Sequence, residues 1–145
     1  MTFLVDTSVW SLALRRNSGV VEPAVIALKD ALLGADLVVT TGVVLQELLQ
    51  GFAGPRDRTQ IIERFAALPM LQPDRTDHIE AAEIRNTCRR ADVQIGTIDA
   101  LIAQLCIRHD LQLLSTDKDF GFAAMHCPAL YSLISDDGPL AHSLS

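Results

Sequence analysis

Four acidic residues carry the chemistry that can be read from this chain: Asp6, Glu47, Asp99 and Asp117, with Asp119 two positions after the last. They are scattered over 145 residues, so their meaning depends on where the secondary-structure elements put them. Asp6 directly follows the apolar run Phe3-Leu4-Val5, and Asp117 closely follows the run Leu111–Ser115. If both runs are neighbouring strands of one parallel sheet, both carboxylates emerge at its carboxyl edge, where open α/β sheets bind ligands. A strand spacing of ~4.7–4.9 Å would let the two share a cation.

The remaining two acids are expected at the same edge. Asp99 falls in the first turn of a helix that runs into the Leu111–Ser115 strand, so that helix must start where the strand ends. Glu47 lies about five residues into a helix leaving the strand Leu37–Thr40, ~7.5 Å along its axis, within reach for a long side chain. Singly, each acid reads as ordinary. Asp6 suits a helix cap, Asp99 a positive helix start, Glu47 a solvated face between Gln46 and Gln50, and Asp117 and Asp119 a turn. Collected on one edge they are no longer independent. Clustered carboxylates raise one another's pKa or recruit a cation. Oxygen ligands without histidine or thiolate partners suit Mg2+ or Mn2+ better than Zn2+. Such an ion binds phosphate oxygens and activates a water for in-line displacement, and the chemistry implied is phosphodiester hydrolysis.

The elements that must position these residues alternate between short apolar runs and helical patterns, which indicates an α/β fold with a mostly parallel sheet. Phe3-Leu4-Val5 reads as the first strand and about Ser8–Arg15 as the first helix. Pro23 and Gly34 bracket a second helix. Leu37–Thr40 is the second strand, followed by a helix over Gly42–Gln50 with apolar residues at Val44, Leu45, Leu48, Leu49 and Phe52. Asp57 is expected to cap a helix ending near Leu68, before Pro69. Thr76 or Asp77 opens a longer helix to about Arg90, with Asp77 and Glu80 at capping-box spacing. Thr97 caps a helix through about Arg108. Leu111–Ser115 is the third strand and Leu130–Ile134 the fourth. Residues 1–134 read as one domain, and 135–145, polar with a Gly-Pro break, as a loose tail.

Composition bounds the answer. Apolar residues make up 49% and charged residues 21%, as in ordinary globular domains. The formal net charge of −6 argues against a uniformly basic nucleic-acid-binding surface but not against an acidic pocket neutralised by metal. The three cysteines, Cys88, Cys106 and Cys127, form neither a disulfide framework nor a metal motif. The four histidines show no ligand spacing and read as structural, and Trp10 as a core or dimer contact. With no secretory pattern and no apolar run of the ~20 residues a membrane span needs, a cytoplasmic location is expected. The cations are ten arginines and two lysines. Several arginines cluster, as Arg15-Arg16, Arg56 with Arg58, and Arg85, Arg89 and Arg90, and arginine grips phosphate through a bidentate fork. Arg56 and Arg58, just after the Glu47 helix, are the expected substrate contacts.

At four places the chain resembles the PIN-domain family, specifically the VapC-type toxins of bacterial toxin–antitoxin pairs. These are Phe3-Leu4-Val5-Asp6-Thr7-Ser8, Leu45-Gln46-Glu47-Leu48-Leu49-Gln50-Gly51, Thr97-Ile98-Asp99-Ala100-Leu101-Ile102-Ala103, and Ser115-Thr116-Asp117-Lys118-Asp119-Phe120. Any one is weak, but the four in order are specific, and the likeness spans about Met1 to Ile134. The resemblance implies a three-layer fold with a sheet of four or five strands. It implies a Mg2+- or Mn2+-dependent endoribonuclease that cuts structured RNA such as transfer or ribosomal RNA. It also implies a homodimer silenced by a cognate antitoxin. Asp6, Glu47 and Asp99 map onto the family's metal-pocket acids, Asp117 is taken as the fourth, and Asp119, in the same motif, is counted with the metal site either through a water or as an outer group orienting the direct ligands. Thr7, Ser8 and Thr116 would orient the carboxylates, while Ser115 stands where relatives often carry Thr.

Two other readings compete. One is a Mg2+-dependent phosphoacceptor or phosphatase phosphorylated on an edge Asp, against which Asp6 is followed by Thr7-Ser8 and lacks an Asp-x-Asp pattern. The other is a catalytically silent binding module of the same fold, against which all four acid positions are filled.

Overall fold

Phe3, Leu4 and Val5 are consecutive, so their side chains alternate between the two faces of a strand, yet all three are buried. That strand is therefore covered on both sides, as the central strand of a three-layer α/β fold must be. The computed structural model describes residues 1–15 and 22–134. Along the chain, β1 (Thr2–Val5) leads to α1 (Thr7–Leu14), α2 (Pro23–Leu33), β2 (Leu37–Thr41), α3 (Gly42–Gly51) and α4 (Pro55–Ala66). Then follow β3 (Met70–Leu71), α5 (Arg75–Arg90), α6 (Thr97–His109), β4 (Gln112–Leu114), α7 (Lys118–Ala124) and α8 (Pro128–Tyr131).

The strands form one parallel sheet in the order β3-β2-β1-β4. Leu4 pairs with Val39 on one side and with Leu113 on the other. The strand that ends at Asp6 is therefore the immediate neighbour of the strand that ends before Asp117, the adjacency on which a shared carboxylate site depends. The Asp6 amide extends this pairing by donating to the Leu114 carbonyl at 2.9 Å. The apolar face of α6 (Leu101, Ile102, Leu105 and Cys106) is buried, and Trp10 of α1 packs on Phe65 of α4 with ring centroids 4.9 Å apart. Trp10 is a core residue here.

The helix that carries Asp99 is held by a buried polar clamp. Asp77, fully buried on α5, accepts hydrogen bonds from the Asp74 amide, from Gln104 Nε2 and from the Arg108 guanidinium. Arg108 also pairs with Asp74 at 3.2 Å. Burial alone would raise the Asp77 carboxyl, but the Asp74 amide, Gln104 and Arg108 outweigh it and hold the group below its usual range. This clamp fixes α6 against α5 and with it the position of the α6 start.

Several boundaries differ from expectation. The run Leu130–Ile134 is not a strand: Pro128, with its preset φ, opens α8, and only Ile134 makes an isolated parallel bridge, to Leu113. The two-residue β3, between Pro69 and Pro73, and the short α7 were not expected from the sequence. Gly54, not Asp57, precedes α4, and Asp57 lies in its first turn. The reciprocal capping box of α5 joins Asp74 to Asp77, one turn earlier than Asp77 to Glu80. Gly96 occupies the cap position of α6, and Thr97 is its first residue. The expected tail 135–145 and Arg16 lie outside the described residues.

Candidate active site

The carboxyl edge of β1 and β4 is tied together by hydroxyls. Asp6 is 4% exposed, and its Oδ2 accepts from Ser8 Oγ at 2.8 Å and from Ser115 Oγ at 2.9 Å. Ser8 Oγ also accepts from the Thr116 amide, and Ser115 Oγ from the Asp117 amide. Asp6 occupies the cap position of α1 without closing a side-chain capping bond. Its carboxylate joins the start of α1, through Ser8, to the end of β4, through Ser115. Burial pushes its pKa upward, opposed by the Ser8 and Ser115 hydroxyls and the amides of Thr7 and Ser8.

Glu47, in the second turn of α3, is held from α1 by Thr7, whose Oγ1 donates to Oε1 at 2.8 Å. Asp117 caps α7 by accepting the Asp119 amide at 2.9 Å. Asp119 is raised by burial and by Asp117 beside it. Asp99, in the first turn of α6, lies next to the α5–α6 loop: a methyl group placed on Gly96 would be 3.9 Å from its Oδ2.

Asp99 reveals that these five acids face one space. Its carboxyl is pushed up to about 7, first by burial and then by the charges of Asp6, Asp117, Glu47 and Asp119. The other four expected acids, from three distant segments, thus all act on Asp99. The ion pairs formed among the described residues, Met1 with Asp36 and Arg108 with Asp74 and Asp77, involve none of them. No three His, Cys, Asp or Glu side chains among the described residues are gathered closely enough to enclose an ion as they stand. The described ion pairs leave the charges of these acids uncompensated. That suits a small hard cation that keeps several waters and takes only one or two carboxylates directly.

Residues 3–124 match the family model of the PIN domain. The chain belongs to the PIN-domain family. Among curated PIN-domain relatives, the ribonuclease VapC11 of Mycobacterium tuberculosis is 30% identical over 123 residues, covering 83% of this chain and 90% of the relative. The VapC ribonuclease Mb1587 of Mycobacterium bovis matches to the same extent. Solved structures share the fold. FitAB bound to a DNA fragment aligns with a TM-score of 0.67 at 20% identity, covering 92% of this chain and 93% of that one. VapC20 of M. tuberculosis, a toxin that cleaves the sarcin–ricin loop, aligns with a TM-score of 0.61 at 21% identity, covering 85% and 94%.

Thr7 and Ser8 orient acids through their hydroxyls as expected, whereas Thr116 donates its backbone amide to Ser8 Oγ and reaches Asp6 only through that hydroxyl. Ser115 matters more than its sequence suggested, because its hydroxyl joins Asp6 to the Asp117 amide. Its position at the end of a strand, two residues before Asp117, was the one available signal. Arg56 and Arg58 are exposed in the first turn of α4. No helix among the described residues is long and apolar enough to cross a membrane.

Proposed function

We propose that this PIN-domain chain is a metal-dependent endoribonuclease toxin, held in check by a cognate antitoxin. The single observation that carries the reading is the convergence of Asp6, Glu47, Asp117 and Asp119 on Asp99, with its carboxyl pushed up to about 7 and no cation paired to any of the five among the described residues. The family relatives named as ribonucleases support RNA as the substrate class.

Asp6, Glu47, Asp99 and Asp117 would hold Mg2+ or Mn2+, with Asp119 acting through a water. The bound ion supplies Lewis-acid polarisation of a phosphodiester and a water of lowered pKa. The protein's own part is positional. Ser8 and Ser115 fix the Asp6 carboxylate, Thr7 fixes Glu47, and the Asp74–Asp77–Arg108 clamp fixes the helix that presents Asp99. The excess negative charge keeps phosphate out until a cation is bound, which makes substrate binding conditional on metal. Arg56 and Arg58 are assigned to the RNA backbone, structured transfer or ribosomal RNA to the substrate, and a homodimer to the active assembly. Solved VapBC pairs of Rickettsia felis and Haemophilus influenzae share this fold, in keeping with an antitoxin partner. An arginine from that partner can replace the metal's charge in the pocket.

Phosphorylation of Asp6 is the weaker reading, because that carboxylate is buried and its Oδ2 is taken by two hydroxyls. The test is sequencing of RNA ends after induction of the wild type and of Asp6→Asn. New 5′ ends at a restricted set of sites, present only with the wild type, are expected. Identical end profiles for the two proteins would refute the proposal.

A further inference from the structure

Beside the carboxylate site, across the α5–α6 loop, lies a second pocket of different chemistry. It has a volume of about 320 Å³ and is lined by Arg85, Arg89, Asp92, Val93, Gln94 and Ile95. Arg85 is half-buried, and its Nε donates to the Ile95 carbonyl at 3.1 Å. This one bond sets the guanidinium across the loop and leaves both terminal nitrogens without a protein partner among the described residues. The side chain of Arg89, one turn further along α5, makes no hydrogen bond or ion pair among the described residues, while Arg90 turns aside to Thr87. Against these two guanidinium groups the lining holds one carboxylate, that of Asp92, so the pocket keeps a net positive charge in a protein of net charge −6.

The location gives this charge a purpose. Ile95, which anchors Arg85, directly precedes Gly96, and Gly96 borders the Asp99 carboxylate. Chain geometry therefore places the Arg85 Nε roughly 11 Å at most from Asp99 Oδ2. Yet the charged groups that dominate the Asp99 carboxyl are the other acids, so Arg85 stands outside the acid pocket, one loop away. A guanidinium inside that pocket would compete with a cation. One placed just beyond it can grip a different phosphate of the same strand, and a planar fork whose Nη1–Nη2 edge is unsatisfied is shaped for a phosphate's oxygens.

We propose that Arg85 and Arg89 form a phosphate-binding subsite that holds the RNA strand next to the bond being cut. The proposal rests on the ribonuclease reading and deepens it. Arg85 is the fixed member, pre-set by the Ile95 carbonyl, and Arg89 the adjustable one. The subsite adds affinity for strands long enough to span both pockets and leaves the chemistry at the acids untouched.

The test measures binding of a labelled oligouridylate, with Ca2+ present to fill the acid pocket, as a function of salt. The proteins compared are the wild type, Arg89→Ala, the double variant Arg85→Ala/Arg89→Ala, and Arg85→Lys/Arg89→Lys. The double variant is expected to bind about tenfold more weakly, the loss of one charge-assisted contact. Its slope of log affinity against log salt should be shallower by about 0.7, the value for one phosphate contact on a single strand. In cleavage with Mg2+, KM should rise about tenfold while kcat stays within roughly twofold, the pattern of lost uniform binding. The lysine pair should restore the slope but not the full affinity, because it keeps charge without the fork. Should the double variant fail to fold, Arg89→Ala, exposed and unbonded, still has to weaken binding and flatten the slope.

A double variant with wild-type slope and wild-type KM overturns the subsite. So does a loss seen against oligoglutamate and not against oligouridylate, which would assign the pocket to an acidic protein partner. In both cases the wild type still cleaves RNA, and the ribonuclease reading stands. A wild type that neither binds nor cuts RNA with metal present refutes that reading itself.

Discussion

Replacing Asp99 with Asn should stabilise the metal-free protein while destroying its site. Asp99 ionises near 3.8 in an unfolded chain but at about 7 in the fold, so the folded state holds the proton over that whole interval. By linkage, the stability of the wild type falls as pH rises from about 4 to about 7 and stays low above it. At about 1.4 kcal/mol per pH unit, this interval corresponds to about 4 kcal/mol. Asp99 is partly open to solvent, and screening there reduces the figure to about 2 kcal/mol. Asn keeps the volume and cannot ionise, so Asp99→Asn should melt roughly 4–8 °C above the wild type near pH 8 in chelator. The gap should close near pH 4, where the wild-type carboxyl is protonated. Thermal melts of both proteins at the two pH values, with EDTA, are the assay. An Asp99→Asn protein that melts at or below the wild type near pH 8, or with the same gap near pH 4, would show that the acids do not crowd one another as described.

Other perturbations separate positioning from chemistry. Asp77→Ala removes the buried acceptor shared by the Asp74 amide, Gln104 and the solvent-exposed Arg108 guanidinium, leaves the buried Gln104 amide unpaired, and should cost about 1–3 kcal/mol in urea unfolding. Ser115→Ala removes one donor from Asp6 and one acceptor from the Asp117 amide. Mn2+ affinity by calorimetry should fall about 10–100-fold, with Ser115→Thr restoring most of it. Arg56→Ala with Arg58→Ala should weaken RNA binding and flatten its salt dependence, and an unchanged salt slope would remove these two from the substrate path. An antitoxin peptide that bound unchanged after Asp6, Glu47, Asp99 and Asp117 were all made neutral amides would rule out charge replacement in the pocket.

The parts of this fold that were legible in sequence are those set by local pattern. Phe3-Leu4-Val5 and Leu37–Thr40 are largely apolar, β-branched-rich runs that suit buried strands, and each is followed by an acid or a helix start at the ligand edge. Leu130–Ile134 looked equally strand-like, but so short an apolar run has no periodicity to distinguish it from helix, and Pro128 settled the matter by opening α8. The cap of α5 was misplaced by one turn because Asp74 to Asp77 and Asp77 to Glu80 have the same spacing. What decides between them is the tertiary partner of Asp77, Arg108, 31 residues away. The site acids were legible because each stands at an element boundary whose direction the α/β alternation fixes. The role of Ser115 was not, since its bond to Asp6 spans 109 positions and exists only because β4 pairs with β1. The same holds for Arg85, whose guanidinium gains its meaning from the Ile95 carbonyl and not from its neighbours in sequence.

The most direct measurement is calorimetric titration of Mn2+ into the purified protein near pH 7, repeated for Asp6→Asn, Glu47→Gln and Asp99→Asn. Saturable binding with proton release is expected for the wild type, because the cation must displace the proton that Asp99 holds at about 7. Each variant should bind far more weakly, and Asp99→Asn should release fewer protons per ion bound than the wild type. A wild type that takes up no Mn2+ or Mg2+, or variants that bind as it does, would contradict the claim that these scattered acids form one metal site.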